Sequence, residues 1–440
     1  MRRLARAAYS SLLWLAVPAF VLKLWWRGRA EPLYRFAIEE RFGWYRSDPA
    51  SAGWVWVHAV SLGETRAASA LLVALRRQRP GVRVLLTHGT ATGRAAGAAL
   101  LRPGDRQAWL PFDTPGSVKR FLAHFQPAIG VLMETEIWPN LLCAAQRRGV
   151  PMVLANARLS ERSARKAKRF EALFRPVAES VPLVLAQTPE DADRLRDAGA
   201  PRVEVSGNLK FDVTPDAAQL ELGLAWRRAC GRPVVLAAST REGEEVPLLA
   251  AWQQQPVPRP LLLMVPRHPQ RFDEVAALVE DSGLTCWRRS HWTDAPPVQA
   301  GTADVWLGDS IGEMAVYFSC AQVALLGGSF EPLGGQNLIE AAACGCPVLM
   351  GPHTFNFAEA AELAQREGAA QRVADIDEAV RIAVGSVGAS SGTSAVATAE
   401  RWPDAALGPQ RAFAFAARHR GAAERMAGQI DALIAPTSAA

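Results

Sequence analysis

The sequence predicts an α/β protein of two Rossmann-like domains in tandem that face one cleft, preceded by an N-terminal membrane anchor helix. Three observations lead there. Short apolar or β-branched runs alternate with helical patterns from residue 54 onward, the alternation breaks once and restarts, and one long apolar run with basic flanks stands at the N-terminus. The 440 residues, 49% hydrophobic and 21% charged, are enough to bury two domain cores.

The N-terminal run, residues 10–26, is apolar apart from Pro18 and Lys23 and carries Trp14, Trp25 and Trp26. Arg2, Arg3 and Arg6 precede it, and Arg27 and Arg29 follow. A spanning helix wants roughly 20 apolar residues, so the run predicts an uncleaved anchor or a helix lying in the interface. A core helix is the other reading. Cations on both flanks leave the orientation open.

Strands are expected at 54–60, 82–87, 128–133, 151–155, 183–186 and 203–206, and again at 233–237, 260–265, 284–287, 304–307, 323–326 and 347–350. The implied organisation is an anchor at 1–30, a first domain at 31–212, a linker at 213–232 and a second domain at 233–408. Residues 409–440 carry a C-terminal helix, about 409–434, expected to dock across the domains. The Ser-, Ala-, Gly- and Thr-rich stretch 388–409 reads as a surface connection.

Lys and Arg number 49 against 43 Asp and Glu, a net charge of +6 that suits an anionic substrate or membrane surface and does not call for nucleic acid. Cys143, Cys230, Cys286, Cys320, Cys344 and Cys346 form no C-x-x-C pair and no zinc spacing. They read as reduced thiols of a cytoplasmic compartment.

In an open parallel sheet the ligand lies beyond the carboxyl ends of the strands. The run 54–60 leads into Ser61-Leu62-Gly63-Glu64, where a carboxylate on a rigid strand end could act as a general base or merely compensate a helix dipole. Glu134 and Glu136 follow the run 128–133, ahead of a helix opened by Pro139. The loop 87–93 supplies hydroxyls and flexible backbone that could cradle phosphate. In the second half, Arg267 and His268 end a strand, and Arg267 can clamp a phosphate. Ile311, Gly312 and Glu313 end another. Asn337, Leu338, Ile339 and Glu340 open a helix whose Glu340 can accept ribose hydroxyls. Together these strand ends predict nucleotide binding.

Five blocks then show a resemblance. His58-Ala59-Val60-Ser61-Leu62-Gly63-Glu64, Met133-Glu134-Thr135-Glu136-Ile137-Trp138-Pro139-Asn140, Gly207-Asn208-Leu209-Lys210-Phe211-Asp212, Val265-Pro266-Arg267-His268-Pro269 and Gly351-Pro352-His353-Thr354-Phe355-Asn356-Phe357 occur in order. The chain resembles the 3-deoxy-D-manno-octulosonic acid (Kdo) transferases of lipopolysaccharide synthesis. The resemblance implies a GT-B glycosyltransferase at the cytoplasmic face of the inner membrane, whose partners are CMP-Kdo, a lipid A precursor and membrane lipids. It implies an acceptor-binding first domain and a nucleotide-sugar-binding second domain. Glu64 matches the family's proton acceptor, Glu134 and Lys210 match residues assigned to transition-state stabilisation, and Glu136 would support them. Arg267, His268, Ile311, Gly312, Glu313, Asn337, Leu338, Ile339 and Glu340 match its CMP-binding positions. The sequence departs from the family at Gln336 and Arg241, where His is frequent, and at Gly89, where Thr is common.

The chemistry expected is free of cofactor and metal, because cations such as Arg267 and Lys210 can meet the leaving phosphate, and inverting, because a single base attacks opposite the leaving group. A GT-B transferase using a UDP-sugar and a non-catalytic nucleotide-binding scaffold are the other functions these residues fit. Glu64, Glu134 and Lys210 standing together disfavour the scaffold.

Overall fold

A computed structural model describes residues 2–46, 52–388 and 408–434. The chain forms two compact units, Met1–Asp212 with His419–Ala440, and Val213–Arg418. The first begins with α1 (Arg2–Arg27) and holds β1 (Trp54–His58), α2 (Leu62–Gln78), β2 (Val84–His88), α3 (Ala91–Ala98), β3 (Arg106–Trp109), α4 (Pro115–Phe125) and β4 (Pro127–Met133). It continues with α5 (Pro139–Arg147), β5 (Met152–Ala157), α6 (Glu161–Arg169), α7 (Glu171–Ala178), β6 (Leu183–Ala186), α8 (Pro189–Asp197) and β7 (Val203–Val205).

The second unit holds α9 (Ala217–Cys230), β8 (Val234–Thr240), α10 (Glu245–Gln253), β9 (Leu261–Pro266), α11 (Phe272–Asp281), β10 (Cys286–Arg288), β11 (Val305–Leu307) and α12 (Met314–Cys320). Then come β12 (Val323–Leu326), α13 (Leu338–Ala343), β13 (Val348–Met350), α14 (Ala358–Arg366), β14 (Ala370–Arg372), α15 (Ile376–Gly388) and α16 (Pro409–His419). The last helix, α17 (Ala422–Asp431), returns to the first unit.

Each unit is built on a seven-stranded sheet, ordered β3-β2-β1-β4-β5-β6-β7 and β10-β11-β9-β8-β12-β13-β14. All pairings are parallel. Strand β1 shows why the apolar runs predict this. Every residue of Trp-Val-Trp-Val-His is buried, because helices cover both faces. Trp54 and Trp56 enter one core with Phe121 and Phe125, while Val55 and Val57 enter the opposite core with Leu71, Leu72 and Met426.

Four expectations need correction. Strands β3 and β14 were not expected. They are short edge strands reading Arg-Gln-Ala-Trp and Ala-Gln-Arg, too polar to register as apolar runs. The segment 213–232 is not a plain linker, because α9 occupies most of it and packs Trp226 beside Trp292 and Tyr317 of the second unit. The single C-terminal helix is two, separated at Gly421, whose φ of +89° breaks the helix. Helix α17 packs on the first unit, against α2, and the end of α16 sets His419 against Phe211. Of the stretch 388–409, residues 389–407 lie outside the described residues.

Candidate active site

In the first sheet the chain leaves β1 toward β2 and β3, and crosses to the other side with β4. The boundary between β1 and β4 is therefore the switch point, where an open parallel sheet leaves a crevice beyond its strand ends. Glu64 opens α2 after β1, and Glu134 directly follows β4. The two strands pair along their length, so register alone brings these carboxylates to one place.

Glu64 is held by a reciprocal cap. Ser61 Oγ accepts from Glu64 N at 3.3 Å, Glu64 Oε1 accepts from Ser61 Oγ at 2.9 Å, and Oε2 accepts from Val60 N at 2.8 Å. The structural role foreseen for this carboxylate is thus present, and it also fixes the group's orientation. Burial raises the Glu64 carboxyl, the Val60 and Ser61 hydrogen bonds oppose that, and the charge of Glu134 raises it further. Glu136 is pushed up to about 7 by burial, then by Glu64, with Glu134 adding to the shift. Glu64 and Glu136 both feel the charge of Glu134, so the three side chains share one locality.

Glu134 has a φ of +58°, a left-handed conformation that costs a non-glycine residue about 1–3 kcal/mol. Its N–H still donates to Ala155 O at 2.9 Å, continuing the sheet hydrogen bonding past β4. The loop 87–93, expected as a possible phosphate cradle, also braces the turn. Gly89 N, Thr90 N and Thr90 Oγ1 all donate to Val60 O, at 3.1, 3.0 and 3.0 Å. A Cβ at Gly89 would stand 2.6 Å from Val60 Cγ1, so the departure to glycine here fits a close approach. His58 and His88 lie behind the turn and are lowered to about 3 and about 4, chiefly by burial. Both are neutral near pH 7 and supply no cation.

Lys210 lies on a short 3-10 turn, Leu209–Phe211, packed against α2. Leu209 N donates to Asn156 Oδ1 at 3.0 Å, Gln187 Nε2 donates to Asn156 O at 2.8 Å, and Asn208 Nδ2 donates to Gln187 Oε1 at 2.9 Å. Asp212 Oδ2 accepts from Ala423 N at 2.6 Å, capping α17 and tying the Lys210 turn to the returning C-terminus. Sequence reasoning did not single out Asn156 or Gln187, and named Asn208 only within a matching block. A polar residue closing an apolar strand run, as Asn156 does, is the signal that could have found them.

Asp113 was also missed. It receives Asn140 N at 3.0 Å and Leu141 N at 2.7 Å, capping α5 directly after the Glu134–Trp138 loop, and Tyr9 OH of α1 donates to it at 3.0 Å. Burial pushes its carboxyl up to about 7 against those hydrogen bonds.

The second sheet has its switch point between β8 and β12. Ser239, the last residue but one of β8, has φ +59°, and a Cβ at Gly327, after β12, would stand 2.2 Å from Ser239 O. Only glycine allows this approach. Buried Glu244 joins the two loops, accepting from Arg241 N at 2.9 Å, Gly328 N at 2.8 Å and Phe330 N at 3.1 Å.

Beside them, Arg267 follows β9, and its Nε donates to Gln336 Oε1 at 3.2 Å. Burial raises the Glu340 carboxyl, and the Arg267 charge pulls it back down. Arg267, Gln336 and Glu340 therefore share one locality. His268 precedes a 3-10 turn at Pro269–Arg271. Asn337 Oδ1 accepts from Ile339 N at 3.2 Å, capping α13, while Leu338 and Ile339 are buried and offer a ligand only backbone. Ile311 is 78% exposed, and Gly312 O accepts from Gln219 Nε2 at 2.9 Å. Glu313 is committed: Arg289 donates to both its oxygens, at 3.0 and 2.8 Å. Burial opposes its ionisation, but Arg289 and Ser310 hold it below the usual carboxylate range. Among the described residues no three His, Cys, Asp or Glu side chains group as metal ligands.

Residues 37–213 match the family model described as 3-deoxy-D-manno-octulosonic-acid transferase (kdotransferase). The 3-deoxy-D-manno-octulosonic acid transferase of Bordetella pertussis is 47% identical over 93% of this chain and 97% of its own. The chain belongs to the 3-deoxy-D-manno-octulosonic acid transferase family. The transferase of that name from Haemophilus influenzae is 35% identical, over 80% of this chain and 84% of its own. A solved glycosyltransferase from Rickettsia africae superimposes with a TM-score of 0.51 at 11% identity, covering 88% of this chain and all of that one. That likeness is one of fold, and the fold is GT-B. This chain is a glycosyltransferase, and the stretch its family model matches includes Glu64, Glu134, Glu136 and Lys210.

Proposed function

We propose that this transferase moves Kdo from CMP-Kdo to a lipid A precursor in lipopolysaccharide biosynthesis, with inversion and without a cofactor or metal ion. The observation that carries the reading is the set of interacting carboxylates at the first switch point, within the stretch matched by the family. An acceptor hydroxyl is too weak an acid to attack unaided, so Glu64 takes its proton as the bond to the anomeric carbon forms. The bond from that carbon to the CMP phosphate oxygen breaks, and CMP leaves with the electron pair. Arg267 meets the phosphate charge, and Glu134 and Lys210 stabilise the transition state, with Glu136 in support. Glu340 accepts the ribose hydroxyls. Nucleotide choice is tested by melting: CMP should raise the melting temperature saturably, and equal stabilisation by UDP alone would overturn the donor assignment.

The pH dependence follows from the shifts. Glu64 must be ionised to act, and its carboxyl is raised above the ordinary 4.5, so the acid limb of kcat/KM should lie above pH 4.5. Glu134→Gln removes a neighbouring negative charge and should move that limb to lower pH, whatever it does to the maximum rate. Glu136 imposes the opposite cost on folding. With a folded value of about 7, the native state holds more protons than the unfolded chain between about 4.5 and 7, so its contribution to stability falls as pH rises through that window.

The membrane assignment rests on α1. Residues 4–27 form a helix long and apolar enough to cross a membrane, and it exposes Leu12, Trp14, Leu15, Leu22, Trp25 and Trp26. Its other side packs on α5 and α7, with Phe20 stacked on Phe112. We place the enzyme at the cytoplasmic face of the inner membrane. Removing residues 1–30 should reduce recovery with membranes far more than CMP affinity. Equal membrane recovery of full-length and shortened chains would contradict this.

A further inference from the structure

The first unit contains a cavity of about 460 Å³ that the reaction above does not use. Leu132, Met152 and Leu154 of the sheet form its floor, and Ala164, Phe174 and Ala178 of α6 and α7 form its roof. Its size falls within the roughly 300–1,000 Å³ of small-ligand sites. Protein interiors are packed like organic crystals, so the apolar part of this lining lacks partner atoms until an apolar guest supplies them.

The surroundings specify the guest. Glu136 lines the cavity, and its carboxyl feels the charge of Glu64, so the apolar space adjoins the carboxylate set. The roof is lightly held: α6 buries no residue and α7 buries only Val177. Helix α7 also packs on α1, whose outward side exposes Trp14, Leu15 and Leu22, and Phe170 between α6 and α7 is half exposed. The cavity thus lies between a membrane-seeking surface and the site where the acceptor hydroxyl must sit. Two cations of α6, Arg165 and Lys168, line the cavity. A long apolar guest whose polar end emerges beside cations and carboxylates is an acylated lipid.

We infer that this cavity is a subsite for one acyl chain of the lipid acceptor, holding the acceptor's sugar at the carboxylates while the rest of the lipid stays in the bilayer. The inference rests on the Kdo-transfer reading for the identity of the acceptor, but not for the existence of the subsite. Ala164→Trp and Ala178→Trp fill the cavity from two different helices. Both variants are compared with the full-length protein for melting temperature, for binding of 11-(dansylamino)undecanoic acid, and for transfer to two acceptors. One acceptor is an acylated glucosamine disaccharide, and the other is the same disaccharide with its acyl chains removed.

The expected result is saturable probe binding by the unmodified protein, displaced by the acylated acceptor, and at least tenfold weaker in both filled variants. KM for the acylated acceptor rises at least tenfold, while kcat/KM for the deacylated one and the KM for donor stay unchanged. Unaltered probe affinity in stably folded variants overturns the proposal, as does equal loss of both acceptors. Displacement by short-chain phosphatidylglycerol but not by the acylated acceptor overturns it as well. If neither acceptor is glycosylated by the unmodified protein, the functional reading fails, and probe binding in the filled variants still decides the subsite.

Discussion

Glu64→Gln should lower turnover about 100-fold to 10,000-fold, the range a positioned general base contributes. The substitution keeps the size of the side chain and an oxygen able to accept from Val60 N, now 2.8 Å from Oε2, so the start of α2 survives. What is lost is proton acceptance. CMP affinity should barely move, because the nucleotide is assigned to the second unit. A purely capping role gives a different pattern: a lowered melting temperature, with activity falling only in proportion to folded protein. Turnover, CMP affinity and melting measured on one preparation separate the two roles. Near-normal turnover in a stably folded variant would eliminate Glu64 as the base and shift the role to Glu134 or Glu136.

Arg267→Ala should weaken CMP binding by about 1.5–3 kcal/mol, roughly 10-fold to 150-fold, by removing a charge-assisted hydrogen bond to phosphate. The side chain already reaches Gln336 and bears on Glu340, so its loss also lets the Glu340 carboxyl rise further. Glu340→Ala should weaken CMP binding by a smaller factor, through the ribose alone. Calorimetry reads both. Unchanged CMP affinity in the two variants would remove the nucleotide from this locality.

The architecture was readable because parallel strands covered on both faces must be continuously apolar, as in Trp54–His58. It failed at β3 and β14, where an edge needs few apolar residues, and at α9, whose polar surface hid a helix carrying Trp226 into the core. The positions of Glu64, Glu134 and Arg267 were readable because strand ends were. Their environments were not. Whether Glu64 is capped, whether Glu136 is raised, and whether Glu313 is already paired with Arg289 depend on which side chains other elements deliver. Asp113 shows the limit most plainly. Nothing in its local sequence marks it, yet it connects α1 to the first turn of α5 through contacts to residues 104 and 27 positions away.

Mass analysis of the products made by the full-length protein tests the central assignment most directly. The protein is incubated with CMP-Kdo and an acylated glucosamine disaccharide, in parallel with UDP-sugars and the same acceptor. The expected result is an acceptor heavier by whole Kdo residues, with CMP released in equal number, and no product from any UDP-sugar. An unchanged acceptor with CMP-Kdo, or a product formed only from a UDP-sugar, would contradict the assignment.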